Sequence, residues 1–339
     1  MTDQEVKLTG IADRKAELAG APDADSCHAQ QTQGPAAPGV QGCGNAPRQA
    51  GRVCPPAQRH LKKAYLEITN CCNLSCSFCH QTTREKRFMT EAEFDALTDA
   101  LKGKVTTLYF HLMGEPLLHP LLPRFIEKAA EKGFAPMITT NGTLLGRRGE
   151  ELLATPLKKV SISLHAPEAN GAFASPEYLD GCIAFAGAAS QKGIFTVLRL
   201  WNEGGLDKGN GDILARLEEA FPPPWEKTRS GMRIVDRVFI ERAKKFDWPD
   251  AGLPEISGEH FCYGLRDQIG ILCDGTAVPC CLDAEGVMAL GNLHEMPLEA
   301  ILETPRARAI YDGFTAHRAV EELCRKCGYA ALTQQYRKK

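Results

Sequence analysis

From residue 62 onward, short runs of branched and aromatic residues alternate with stretches whose apolar positions recur at helical spacing. Residues 64–69 read as a strand that delivers a cysteine-rich loop. Thr90 and Glu93 form a capping box, and Phe94, Leu97 and Leu101 follow on one helical face. The alternation then repeats. Strands are predicted over 107–112, 136–140, 159–164 and 195–200. Helices are predicted over 121–132 (ended by Gly133), near 150–154, over 176–192 and over 212–221. Residues 233–240 read as a sixth strand. Strands alternating with helices specify a parallel sheet covered by helices. Six units predict a partial (β/α)6 TIM-like barrel, short of the usual eight, with its chemistry at the carboxyl ends of the strands.

The pattern changes at both ends. Residues 19–59 are rich in Ala, Gly, Pro and Gln, with hardly a branched aliphatic residue, and cannot bury enough apolar surface to offset their ordering entropy. Residues 1–60 are expected to form a disordered tail, the first twenty a frayed helix at most; Cys27, Cys43 and Cys54 read as spare thiols within it. Residues 61–257 form the expected barrel. Residues 258–339 form a small α+β module: a hairpin over 268–279 turning at Asp274-Gly275, a helix from 297 to about 313, and Cys324-Arg325-Lys326-Cys327 near the end.

Composition narrows the function. The chain has 339 residues and a formal net charge of −2, so no overall field draws it to nucleic acid or to a membrane surface. No apolar run approaches the ~20 residues of a membrane span. The opening residues lack a basic-then-apolar signal, so the expected location is the cytoplasm. Fourteen cysteines are the outlying number. A reducing compartment disfavours disulfides, so metal or cluster ligation is the economical reading. Cys182, among apolar helical neighbours, reads as a small buried hydrophobe.

Cys72, Cys76 and Cys79 stand at C-x3-C-x2-C spacing. Three thiolates so placed can hold three corners of a [4Fe–4S] cube and leave the fourth iron open to a small molecule. Cys71 competes with Cys72 as the first ligand. Two rival chemistries use His80. Cys76-Ser77-Phe78-Cys79-His80 is literally a haem attachment pattern, but that chemistry belongs outside the cytoplasm and leaves Cys72 idle. Zinc with His80 as fourth ligand leaves the αβ repeat unexplained.

These cysteines, with Phe78 before the last of them, resemble the radical S-adenosylmethionine (SAM) enzymes, and the resemblance covers roughly residues 62–330. Gly114, Glu115 and Pro116 resemble the family's stretch that binds the methionine amino group. Asn141, within Thr140-Asn141-Gly142, belongs to a second recurring segment. Ser163 is similar to a ribose-contacting residue, and Arg199 and Asn202 to groups that contact the SAM carboxylate or ribose. The resemblance implies that a reduced cluster sends one electron, from a donor such as flavodoxin or ferredoxin, into SAM. It further implies that the resulting 5′-deoxyadenosyl radical abstracts hydrogen from a substrate.

Cys262, Cys280, Cys324 and Cys327, with Gly275 between the first two, resemble the SPASM or twitch modules of that family. They imply one auxiliary [4Fe–4S] cluster. Cys281 competes with Cys280, a zinc site on the same four residues is the plainer alternative, and Cys273 reads as structural. Asp283 and Asp267 are candidate bases near this site, although most aspartates in such loops are turn residues. His111 reads as a core histidine, His165 is an open case between core and site, and Trp201 and Trp225 read as packing residues. The expected function is that of a maturase or oxidoreductase acting on a peptide or protein side chain. A small-molecule dehydrogenase and a non-enzymatic iron–sulfur electron carrier are the alternatives.

Overall fold

The computed structural model describes residues 61–337; the expected tail, with Cys27, Cys43 and Cys54, lies outside the described residues. Ten elements build the αβ repeat: β1 (Lys63–Leu66), α1 (Glu91–Leu101), β2 (Thr107–Tyr109), α2 (Leu122–Glu131), β3 (Ala135–Thr140), α3 (Leu145–Leu153), β4 (Lys159–Ser163), α4 (Pro176–Gln191), β5 (Phe195–Glu203) and α5 (Asn210–Ala220). Then come β6 (Glu226–Lys227), β7 (Gly231–Val235) and β8 (Val238–Lys244). The C-terminal part adds β9 (Gln268–Ile271), β10 (Thr276–Val278), β11 (Gly291–Asn292), α6 (Leu298–Leu302), α7 (Pro305–Thr315), α8 (Glu322–Arg325) and α9 (Gly328–Arg337).

The fold is a partial TIM-like barrel. One sheet runs in the order β11-β10-β9-β1-β2-β3-β4-β5-β8-β7-β6 and stays open at both edges. Strands β1 to β5 and β8 are the six parallel strands of the αβ repeat, and β9 runs parallel beside β1. Alternation along the strands separates two faces. Ala64, Leu66, Leu108, Ile138, Val160, Ile162, Leu198, Val238 and Ile240 belong to the main core, shared with buried residues of the helices. The intervening positions face the barrel lumen; Tyr65, Tyr109 and Met137 make a separate small cluster there.

The capping box forms as predicted: Glu93 N donates to Thr90 Oγ1 at 3.2 Å and Thr90 N donates to Glu93 Oε2 at 2.8 Å. Three expectations change. The run 233–240 is not one strand. It breaks at Asp236-Arg237, where Arg237 takes a left-handed φ of 58°; β8 then runs parallel to β5, and β7 folds back antiparallel to β8. The helix over 297–313 is two, because Pro305 forces Thr304 out of helical geometry (ψ 148°) and Thr304 caps α7 instead. Finally, β9 of the predicted hairpin pairs parallel with β1, from Lys63 opposite Gln268 to Leu66 opposite Ile271. The C-terminal segment thus extends the barrel sheet.

Candidate cysteine sites at the strand ends

The loop carrying Cys72, Cys76 and Cys79 leaves the carboxyl end of β1 and is pinned by neighbouring strand ends. Ser77 N donates to Ala169 O at 2.9 Å, and Ser75 N donates to Asn170 Oδ1 at 2.8 Å. Asn170 Nδ2 lies 3.1 Å from Cys76 Sγ and Asn141 Nδ2 lies 4.0 Å from Cys72 Sγ. Asn141 also donates to Asn73 Oδ1 at 2.9 Å. Phe78 packs 5.0 Å, centroid to centroid, from His165. Cys72 reaches solvent, yet enough of the loop surrounds its sulfur that desolvation still pushes its thiol up. Burial likewise raises Cys79, and raises Cys76 to about 11 with help from Cys79 and Cys72. Cys71 hydrogen-bonds at 3.8 Å to Arg87 O.

Gly114 and Glu115 come up against this loop from the end of β2. Glu115 N donates to Cys71 O at 2.8 Å. Gly114 has φ 79°, and a Cβ there would stand 2.4 Å from Thr69 O and 2.8 Å from Cys71 O. The close approach therefore requires glycine. The Glu115 carboxylate turns inward, accepting from Asn141 N at 2.7 Å, Thr140 Oγ1 at 2.8 Å and Leu117 N at 3.0 Å. Desolvation outweighs these bonds and raises its pKa to about 7. Pro116 is buried and opens a short 3-10 turn.

Ser163 ends β4, where its carbonyl lies 3.3 Å from Tyr178 Oη; Asn141 O is nearer to the same hydroxyl, at 2.8 Å. Arg199 stands on the lumen face of β5, stacked on Trp201 at 4.3 Å and 3.4 Å from Thr139 Oγ1. His165 Nδ1 donates to Arg199 O at 2.9 Å; burial lowers its pKa to about 4, so the ring is neutral. His111 packs edge-on against the buried rings of Tyr65 and Tyr109, at 5.6 Å each. Asn202, expected among the SAM contacts, spends its side-chain amide within its own segment. It is 1% exposed and its amide is taken up by Asn210 and Leu206.

The C-terminal cysteines converge from three segments. Burial pushes the Cys280 thiol well above its ordinary value, with Cys281, Cys262 and Cys324 adding to it. Cys324 is raised in the same way, with help from Cys262 and Cys327. Gly264 N points at Cys262 Sγ and Ala330 N at Cys327 Sγ, both at 3.4 Å. Cys281 packs against Tyr65, Tyr109 and Met137 in the lumen, and shares with Cys79 an apolar group that includes Leu112 and Met113. Cys273 is fully buried, bonded to Ile68 O at 3.6 Å and raised to about 12 by desolvation. Cys182 is also buried and raised to about 12.

Asp283 holds a turn. It is fully buried and its two oxygens accept from Val287 N at 2.9 Å and Met288 N at 2.8 Å. That leaves it poorly placed to act as a base. Asp267 pairs at the surface with Lys62 at 3.3 Å. His80 sits 3.8 Å from both Asp250 and Glu285. Sequence reading missed Asn170 and Tyr178, which act across long separations, and the lumen pair Tyr65 and Tyr109, which strand alternation marks out.

Both thiol groups suit iron–sulfur clusters. Each gathers sulfurs in a desolvated place where they raise one another's proton affinity, so positive iron is what makes thiolates favourable there. Each also aims amide N–H groups at sulfur, as the surroundings of a ligating thiolate do. Among the described residues, no three His, Cys, Asp or Glu side chains close in as the ligands of a single ion do. Nor is any helix among them long and apolar enough to cross a membrane.

A model of the Radical SAM superfamily matches residues 66–198, and one of an iron–sulfur cluster-binding domain, SPASM, matches residues 262–328. A probable GTP 3′,8-cyclase of Pyrobaculum aerophilum is 30% identical over 113 residues, 32% of this chain and 36% of the relative. A tungsten-containing aldehyde ferredoxin oxidoreductase cofactor-modifying protein of Pyrococcus furiosus is 38% identical over 89 residues, 25% of each chain. The matches thus span only a minor share of these two relatives. A probable GTP 3′,8-cyclase of Methanothermobacter marburgensis is 23% identical over 297 residues, 75% of this chain and 97% of the relative. Among solved structures, native anSMEcpe with bound AdoMet is similar in fold, with a TM-score of 0.53 at 14% identity, covering 80% of this chain and 87% of that one.

Proposed function

Because the chain belongs to the radical SAM superfamily and carries a SPASM-type iron–sulfur domain, we propose that it removes a hydrogen atom from a carbon of a peptide or protein side chain. When bound, a reduced [4Fe–4S] cluster with SAM would supply the one-electron chemistry needed to abstract hydrogen from carbon. Cys72, Cys76 and Cys79 are the residues that would hold the SAM-binding cluster. Cys262, Cys280, Cys324 and Cys327 would hold the auxiliary one, and a flavodoxin- or ferredoxin-type protein would deliver the electron.

One observation carries the reading. The backbone of Gly114-Glu115 docks directly on the cysteine loop, at a contact with no room for a Cβ. A mere electron carrier has no need of that juxtaposition, because its cluster needs no small molecule positioned beside it. Around it, this chain's residues have defined tasks. Asn170 and Asn141 orient Cys76 and Cys72. Glu115 fixes the Thr140-Asn141 turn against the same loop. Phe78 and neutral His165 wall the site with groups that carry no charge. The lumen, lined by Tyr65, Tyr109, His111 and Arg199, is the place for substrate, shielded from water.

A peptide substrate is supported by the fold shared with anSMEcpe, which was solved with AdoMet and a Kp18Cys peptide. A small-molecule substrate is the second reading, favoured by the 297-residue similarity to a probable GTP 3′,8-cyclase. The test is common to both. Reconstituted protein incubated anaerobically with SAM and dithionite is expected to release 5′-deoxyadenosine, and Cys76→Ala to release none. An intact cluster at the first loop with no such product would favour the electron carrier.

A further inference from the structure

Two bridges tie the first cysteine loop to the segment that follows Cys280. Glu67, fully buried at the end of β1, is the hub of one. Its Oε1 accepts from Arg84 Nη2 at 2.7 Å and from Met113 N at 3.2 Å. Its Oε2 accepts from Arg84 Nη1 at 2.9 Å and from Cys273 N at 3.0 Å. Arg84 then reaches on, donating through Nε to Ala284 O at 2.8 Å. The second bridge lies outside it: Thr83 N and Oγ1 donate to the Glu285 carboxylate at 2.9 and 2.8 Å.

The placement is symmetrical. Thr83 and Arg84 stand four and five residues after Cys79 (83 − 79, 84 − 79); Ala284 and Glu285 stand four and five residues after Cys280 (284 − 280, 285 − 280). The connection continues inward. Asp283 anchors Met288 through its backbone N–H, and Met288 Sδ lies 3.6 Å from Cys324 Sγ. A short bonded path therefore joins the loop of Cys72, Cys76 and Cys79 to Cys280 and Cys324.

A bidentate arginine–carboxylate pair fixes geometry as well as adding energy. Half-opening it strands a charge away from water, which is the costly case for buried ions. Either loop, when its thiols are drawn together around a cluster, therefore sets the position of the partner loop.

We propose that Glu67 and Arg84 couple the two cysteine groups, so that assembly of a cluster at one raises the affinity of the other for its own. This rests on the reading of both groups as cluster sites. Arg84 is a positioning residue, acting through the loops, and the coupling is reciprocal by thermodynamic necessity.

The test needs no substrate and no turnover. Full-length apoprotein is titrated anaerobically with ferrous iron and sulfide. Filling of the first group is read as protection of Cys72, Cys76 and Cys79 from iodoacetamide, by mass spectrometry. In otherwise native protein, Cys324→Ala is expected to raise the iron needed for half-protection by about tenfold. In the Arg84→Gln background, the same substitution should change it by less than about twofold. An undiminished effect without Arg84, or no effect with it, overturns the coupling. Should Arg84→Gln fail to fold, Arg84→Lys keeps the charge but gives up the two-pronged grip on Glu67 and the bond to Ala284 O, and should shrink the tenfold effect to about threefold; no shrinkage overturns the proposal. Absence of iron-dependent protection in every protein would instead overturn the functional reading beneath it.

Discussion

The two cysteine groups are built in opposite ways. The first takes three thiols from a single loop, Cys72 to Cys79, and borrows its polar surroundings from Asn141 and Asn170 on other segments. Its leading cysteine reaches solvent. The second collects Cys262, Cys280, Cys324 and Cys327 from three distant segments, all four half-buried, and burial pushes Cys280 and Cys324 well up. A local, three-thiol, partly open site suits a cluster that must admit a second molecule. A dispersed, four-thiol site, with a protein ligand for every iron, suits one that only passes electrons.

The largest effect that tests this contrast comes from Cys324→Ala. At saturating iron it is expected to lose about four irons per chain while keeping 5′-deoxyadenosine formation within about twofold of the unaltered protein. Equal loss of both would erase the distinction between the sites. Next is Gly114→Ala. A left-handed residue with backbone oxygens 2.4 and 2.8 Å from its new Cβ must shift the cysteine loop. The expected cost is about 2–3 kcal/mol in stability with a roughly tenfold weaker SAM affinity, read by thermal denaturation and equilibrium dialysis.

The last test concerns Glu115, where the three donors keep the effect below its ceiling. Its folded pKa of about 7 lies above the ordinary 4.5, so the folded state holds a proton that the unfolded state has released. The associated stability is fully present below pH 4.5 and is lost as pH rises through about 7. The difference, 7 − 4.5, sets a ceiling of about 3 kcal/mol. Urea midpoints at pH 5 and pH 8 should therefore diverge for the native sequence and converge for Glu115→Gln. A native midpoint that rises with pH would mean that the three donors to this carboxylate outweigh its desolvation.

What the sequence could reveal followed the range of each signal. The αβ repeat, the Thr90–Glu93 cap and the Cys72–Cys79 spacing are local, and each was readable without a fold. The break at Asp236-Arg237 was hidden because neither residue is glycine or asparagine, so the left-handed Arg237 carried no marker. The break before Pro305 was marked, since the residue preceding a proline avoids helical geometry. Asn170 beside Cys76 and Arg84 on Glu67 were illegible for another reason. Each is an ordinary polar residue until a fold brings it to a buried partner.

The pairing of β9 with β1 has a consequence for how the chain is made. Lys62 and Lys63 donate to Asp267 O, and the ladder runs on through Ile271, so the first strand finds one neighbour only after some two hundred further residues have emerged. Until then its open flank is a template for unwanted strands from other molecules. A gene split at the apparent module boundary would leave that flank bare for good, and the two halves would have to be co-expressed to close it.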